Sequence, residues 1–401
     1  MIHQVFATLE EAGGTRHYEF ARYLAQKGHR VTVVASDVNY YSQEKLLYSQ
    51  KKDEKSGINI LRARTYRKLH SGFFGRLLSY ISFMIGSLQR SLKVKNIDII
   101  LGTSPPIFQA MVACLVALIR RKVFVLEVRD LWPDFLVEIG VIKNKILICF
   151  GRMVERYIYK KARVIIVNSP GYINHIKSKG IFDKKIRLIP NSVDSSMFEP
   201  NEKGISFREE LGITDKFLVL YAGAVGKAND IETLLNAAAI LRDQEKIVFV
   251  IVGGGNERER MIEIARQEKL ENVLFIPPVP KAKIPEVIAA SDACVAILKN
   301  VPMFKITYPN KVFDYMAGGR PIVLVIDGVI REVVESAGAG IFAQPGNGKS
   351  VADAIMRLYR NPELRKRMGS NGRNYVIQHF ERKNQASEFE RVLLAAIEQQ
   401  A

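Results

Sequence analysis

An α/β protein made of two Rossmann-like βα domains is the fold this sequence predicts, and three observations predict it. Short β-branched runs alternate with helix-length segments in both halves of the 401 residues. One irregular, polar stretch from Ser195 to Gly204 interrupts the alternation. The net charge of +18 divides unevenly about it: residues 1–200 carry 32 Lys and Arg against 16 Asp and Glu, and residues 201–401 carry 27 against 25. The expected domains are therefore a basic 1–197, a second domain 198–378, and a charged helical tail 379–401 read as packing back on the first domain.

Composition narrows the class further. A chain 48% hydrophobic and 25% charged suits a soluble globular protein large enough for two cores. Cys114, Cys149 and Cys294 lie far apart with no CxxC pair, so neither a disulfide framework nor a zinc site is expected, and a reducing cytoplasm fits. No cleavable signal opens the chain, and no run approaches the roughly 20 apolar residues of a membrane span.

In order along the chain, residues 1–7 read as a first strand, followed by a loop with Gly13 and Gly14, a helix over 17–27 and the strand 31–36. Amides at the N-terminus of such a helix suit a phosphate. From Lys45 to Lys95 the pattern turns basic and aromatic: Arg62, Arg64, Arg67, Lys68 and His70 precede a stretch in which Phe73, Phe74, Leu77, Leu78, Tyr80, Ile81, Met84 and Ile85 recur at helical spacing. Cations feeding an aromatic amphipathic helix describe either a surface that rests on an anionic membrane or a core helix beside a solvated loop. The strand 98–101 leads to Gly102-Thr-Ser-Pro-Pro106 and an apolar helix, and the strand 123–128 delivers Arg129, Asp130 and the chain's single Trp, Trp132. Ligands of open α/β sheets bind at the carboxyl ends of strands, which makes Arg129 and Asp130 site candidates. A salt-bridged, Trp-packed turn is the plainer alternative. A helix over 145–161 leads to a strand at 164–168 and, after another helix, to Ile186-Arg-Leu-Ile-Pro-Asn-Ser-Val-Asp194, which completes the first half.

The second half restarts with strands at 217–221, 247–252, 273–276, 293–297 and 322–326. Glycine loops follow the first two, at Gly223-Ala-Val-Gly-Lys227 and Gly253-Gly-Gly255, where a phosphate loop belongs. In the stretch Tyr308-Pro-Asn-Lys-Val-Phe-Asp-Tyr-Met-Ala-Gly-Gly319, Pro309 and Asn310 offer a helix start and Gly318-Gly319 a stop. At about 100° per residue, Val312, Phe313, Met316 and Ala317 form an apolar face, and Lys311, Asp314 and Tyr315 point the other way. A lysine suits a phosphate and a carboxylate suits sugar hydroxyls. A surface i,i+3 ion pair on an ordinary helix would produce the same pattern.

Five of these elements, Gly13-Gly-Thr-Arg-His-Tyr-Glu19, Arg129-Asp-Leu-Trp-Pro133, Ile189-Pro-Asn-Ser-Val-Asp194, Gly253-Gly-Gly255 and Pro309-Asn-Lys-Val-Phe-Asp-Tyr-Met-Ala-Gly318, together resemble retaining glycosyltransferase family 4. Arg-Asp-Leu-Trp-Pro resembles its branch of bacterial O-antigen and capsule L-fucosamine transferases. The resemblance spans nearly the whole chain. It implies a GT-B fold, with two domains facing across a cleft, a UDP-sugar donor on the C-terminal domain and an acceptor on the N-terminal one. It further implies donor contacts at Gly13, Gly14, Lys227, Val279, Tyr308, Pro309, Asn310, Lys311 and Asp314, with Asp130 and Arg129 at the acceptor. Asp314 falls where the family carries the second glutamate of Glu-x7-Glu, and Ile306 replaces the first, so the donor sugar is expected to be held unusually.

The implied reaction moves an N-acetylated or deoxyamino hexose, with retention, to a polyprenyl-diphosphate-linked saccharide at the inner face of the cytoplasmic membrane, in O-antigen or capsule synthesis. No cofactor and no metal are expected, because lysines supply the charge and no Asp-x-Asp motif is present. A nucleotide-sugar 2-epimerase of the same fold would need further acid/base groups, for which Asp130, Asp134 and His17 are the candidates. A basic nucleic-acid binder lacks a recognition signature, and no nucleic-acid partner is expected.

Overall fold

The computed structural model describes residues 1–39, 44–46, 50–53, 56–67, 72–199 and 204–398. Lys68, His70 and the side chain of Phe73 lie outside what is described. Two compact units emerge, one made of Met1–Thr8, Gly14–Pro190 and Lys383–Ala401, the other of Leu9–Gly13 and Asn191–Arg382.

The first unit has strands β1 Thr32–Ser36, β2 Gln50–Asp53, β3 Ile58–Ala63, β4 Ile99–Ser104, β5 Val123–Val128, β6 Val164–Val167 and β7 Ile186–Leu188. Its helices are α1 Arg16–Gln26, α2 Gly72–Lys93, α3 Ile107–Arg120, α4 Asp134–Glu138, α5 Lys145–Lys161 and α6 Gly171–Ser178. Strands β1 and β3 pair in parallel with β2 antiparallel at the edge, and β4, β5, β6 and β7 form a parallel run. Ile2 bridges Val34 on one side and Gly102 on the other, so the two runs meet at the segment read as a first strand. That segment is cut short because the chain turns at Gln4 and Val5. A second difference concerns Arg62: it is a buried β3 residue donating to the Ser36 carbonyl at 2.9 Å, not part of a solvated basic loop.

The second unit carries strands β8 Phe217–Ala222, β9 Ile247–Val252, β10 Val273–Ile276, β11 Ala293–Ile297, β12 Ile322–Val325 and β13 Gly340–Phe342. Helices α7 Ile205–Glu210, α8 Ile231–Ile240, α9 Arg258–Gln267, α10 Ile284–Ala289, α11 Pro302–Lys305, α12 Asn310–Ala317, α13 Val329–Ser336, α14 Gly348–Arg360 and α15 Pro362–His379 surround them. The six strands are parallel in the order β10-β9-β8-β11-β12-β13. Residues of β8, β9 and β11 are buried on both faces, which is why these strands read as unbroken apolar runs. The order reverses between β8 and β11, and such a reversal opens a crevice at the carboxyl ends of the two strands. The last helix, α16 Arg382–Glu398, joins the core of the first unit through Phe389, whose ring lies 4.7 Å from that of Phe20.

Candidate functional site

At the reversal point of the second unit, the loop after β8 meets α12. Lys311, in the first turn of α12, has a buried ammonium with no hydrogen-bond partner among the described residues. Its Nζ stands 3.9 Å from the centroid of the Tyr221 ring. Burial pulls its pKa down to about 7. Gly223 is what lets it in: with φ at +154°, a Cβ there would stand 2.7 Å from the Lys311 Nζ. The second glycine loop packs directly behind, since a Cβ at Gly253 would fall 1.8 Å from the Gly223 carbonyl oxygen. Hydrogen bonds from Gly223 N–H to Val252 O at 2.9 Å and from Val225 N–H to Gly254 O at 2.8 Å hold the two loops together. Lys227, in the same loop as Gly223, is exposed.

Tyr315 corrects the reading of the α12 face. It is fully buried, and its hydroxyl accepts from the Ala222 N–H at 2.9 Å and donates to the Ala222 carbonyl at 3.2 Å. The end of β8 needs partners for both backbone groups, and the Tyr315 hydroxyl can serve donor and acceptor at once. The side chain expected in the open therefore ties α12 to the mouth of the glycine loop. Lys311 and Asp314 are only partly exposed.

Asp314 is ion-paired with Lys281, Oδ2 to Nζ at 2.7 Å, and Lys281 lies two residues past Val279 in the loop after β10. The structure thus links the Val279 segment to α12 through a pair that sequence spacing did not suggest. Pro309 is the extended residue before α12, and Asn310 opens the helix, exposed. The Tyr308 carbonyl accepts from Asn191 Nδ2 at 2.6 Å, its ring meets Phe313 edge-on at 5.8 Å, and burial pushes its phenol up to about 12. Tyr308 is thus wedged in place. Ile306 ends α11 with no carboxylate to offer.

In the first unit, Arg129 and Asp130 emerge from the fully buried β5. An Arg129 guanidinium N–H donates to the Pro105 carbonyl at 3.0 Å, while its Nε is buried without a hydrogen-bond partner among the described residues. Burial raises the Asp130 carboxyl to about 6 against the pull of Arg129, and the Tyr172 hydroxyl lies 3.5 Å from its Oδ1. A carboxyl that titrates near neutrality can exchange a proton with a bound hydroxyl. Asp134 cannot: Arg152 and Lys179 each donate to it at 2.8 Å, and although burial opposes them, these bonds and the His175 imidazole 3.2 Å away keep it below the usual carboxylate range. The donor-set candidates Gly13 and Gly14 fall in different units; Gly13 has φ +135°, and Gly14 is exposed ahead of α1.

Glu127, inside β5, was missed. It is fully buried and accepts from Arg16 Nε at 2.8 Å and from His17 Nε2. Burial works against its charge, but His17 and Arg16 outweigh that and hold it well below the usual carboxylate range. Burial lowers His17 despite Glu127, and the His17 Nδ1 has no hydrogen-bond partner among the described residues. Arg16 also donates at 2.7 Å to the carbonyls of Ile189 and Pro190, the last residues before the chain leaves the unit. The available signal was a charge in the middle of Val-Phe-Val-Leu-Glu-Val, since a carboxylate in a buried strand needs dedicated partners.

Comparison with known proteins adds a family. Residues 205–375 match the model of glycosyl transferases group 1, and residues 13–196 match that of Glycosyltransferase Family 4. WcaI of Escherichia coli strain K12, assigned to colanic acid biosynthesis as a glycosyl transferase, is 24% identical over 389 residues, 92% of this chain and 93% of that protein. Among solved structures, the Anabaena protein HepE, crystallised with UDP and glucose, superposes with a TM-score of 0.74 at 18% identity over 98% of both chains. The sucrose-phosphate synthase of Thermosynechococcus elongatus superposes with a TM-score of 0.76 at 19% identity, over 99% of this chain and 100% of that one. At these identities the two structures establish a shared GT-B fold.

Proposed function

The chain belongs to glycosyltransferase family 4, and from that premise we propose that it moves a sugar from a UDP-sugar to a polyprenyl-diphosphate-linked saccharide with retention of anomeric configuration. The sugar proposed is an N-acetylated or deoxyamino hexose, and the setting is bacterial surface polysaccharide synthesis. The colanic acid assignment of WcaI and the UDP and glucose bound to HepE support that reading. Its main support is the unpartnered ammonium of Lys311 beside Gly223, at the reversal point of a parallel sheet. A buried cation without a counter-ion is costly, and a diphosphate would supply the missing charge.

Breaking the anomeric bond places negative charge on the departing diphosphate and positive charge on the sugar. A fixed ammonium that the diphosphate recharges stabilises that separation more than it stabilises the intact donor. Lys227 and the amides of the Gly223 loop would share the load. Asp314, released from Lys281, would accept from the ribose hydroxyls, and the Val279 backbone would meet the base. With Ile306 in place of a carboxylate, Tyr308, Pro309 and Asn310 would face the sugar. Asp130, poised near neutrality and flanked by Arg129, would orient the acceptor hydroxyl and ease loss of its proton.

A thermal-shift screen of UDP, GDP and TDP sugars tests the donor, since a ligand of the folded state raises its melting point. Only UDP sugars are expected to do so, and stabilisation by a GDP sugar alone would overturn the choice. With a polyprenyl-diphosphate saccharide as acceptor, Asp130→Asn is expected to lower kcat by on the order of 100-fold with donor affinity unchanged. Equal loss in donor affinity would remove Asp130 from its role.

A further inference from the structure

Helices α2, α3 and α5 of the first unit leave a continuous apolar face uncovered. On α2 the exposed residues Phe74, Leu78, Ile81 and Ile85 follow the spacing i, i+4, i+7, i+11, which is one stripe of a helix. On α5, Ile146, Phe150, Met153 and Tyr157 repeat that spacing, Ile146 being 78% and Met153 60% exposed. Helix α3 packs against both and adds Leu115, Leu118 and Ile119. Where the three helices meet runs an open slot of about 540 Å³, lined by Met84, Leu88, Met111, Leu115, Leu118 and Met153 among others.

Charge identifies what this face fits. The sole carboxylate on the three helices, Glu155, is buried and bound by Lys179 and by the Tyr159 hydroxyl. Lys145, Arg152, Arg156, Lys160 and Lys161 are exposed on α5 around the apolar stripe. An apolar stripe rimmed by cations, with no exposed acid on its helices, matches hydrocarbon beneath a layer of phosphates. No helix among the described residues is long and apolar enough to cross a membrane, so such a contact would be lateral.

We infer that this three-helix face rests in the interfacial layer of an anionic bilayer and that the slot between α2, α3 and α5 receives one acyl chain of a bilayer lipid. The inference deepens the lipid-linked acceptor reading by naming the surface that meets the membrane. Its test uses vesicles free of any glycosyl acceptor, so the two readings fail separately.

Cys149 supplies a native reporter: it is exposed on α5, whereas Cys114 and Cys294 are buried. An environment-sensitive fluorophore on Cys149 of the full chain is expected to shift to the blue on vesicles of phosphatidylcholine with phosphatidylglycerol, and to be quenched by lipids brominated along the acyl chain. Phosphatidylcholine alone should leave it unchanged. Removing one rim cation, Arg156→Gln, should weaken partition about fivefold, and Phe150→Ala about tenfold. A phosphatidylglycerol with a photoreactive acyl chain should label Leu118 or Met153, and Leu115→Trp, which fills the slot, should abolish that labelling. The melting temperature of each variant without ligand serves as the folding control. Binding without a blue shift or acyl quenching would overturn the bilayer contact, as would a concentration-dependent dimer that shields Cys149 without lipid. Acyl labelling that persists in Leu115→Trp would overturn the slot.

Discussion

Glu127 and Lys311 are both buried charges at the working ends of parallel sheets, yet their surroundings differ completely. Glu127 is met by Arg16 and His17 and is held ionised; the Lys311 ammonium lies against the face of Tyr221 and beside Gly223, with no hydrogen-bond partner among the described residues. The first arrangement is finished within the folded chain, and the second is the one we propose a diphosphate completes. A buried charge with its partners in place fixes geometry, whereas one left without them calls for a specific explanation, which the proposed diphosphate supplies.

Substitutions that swap these conditions should break the contrast. Glu127→Ala strands the Arg16 guanidinium in the interior, and a loss of about 3–5 kcal/mol in unfolding free energy is expected by denaturant titration. A loss below 1 kcal/mol would mean Glu127 is not the structural anchor its bonds suggest. Next in size is Asp314→Ala, expected to weaken UDP-sugar binding by roughly 10- to 100-fold in calorimetry with the fold intact, as befits lost hydrogen bonds to a carboxylate. Unchanged affinity would leave Asp314 as a partner of Lys281 and nothing more. The smallest effect sharpens the contrast from the other side: Lys311→Met should stabilise the ligand-free protein, by about 1–2 kcal/mol. Its folded pKa, about 7, lies below the unfolded value, so the cost of the ammonium is fully present below pH 7. It fades as pH rises from there toward the unfolded pKa, and the gap between variant and wild type should narrow over that window. A gap that widens with pH would contradict the burial.

Much of the architecture was legible from residues alone. The run Ile-Val-Phe-Val-Ile-Val at 247–252 is apolar at every position because β9 is covered on both faces, and the observed strand has those bounds. Helix α12 ends before Gly318 as the paired glycines suggest. Of the site, residue type singled out Lys311, and the structure sets it beside the Gly223 loop, a juxtaposition that local pattern did not give. The site was opaque where long-range contacts decide. Tyr315 belongs on the open face by helical periodicity, but the unsatisfied end of β8, 93 positions away in sequence, draws it inward. Lys281 lies 33 positions from Asp314, and no local pattern could pair them. Strands β2, β3, β7 and β13 were missed, since each is short or broken by charged residues and local reading could not separate it from a loop.

The central claim is that the Lys311 ammonium awaits a diphosphate, and UDP binding followed by calorimetry above neutral pH tests it most directly. At about pH 8 most of the free protein holds Lys311 neutral, so binding a diphosphate should recharge it, drawing a proton from the buffer and weakening affinity as pH rises. In buffers of different ionisation heat, the wild type is predicted to take up close to one proton per UDP bound, and Lys311→Met to bind weakly with no uptake. Equal affinity and equal proton uptake in the two proteins would contradict the account.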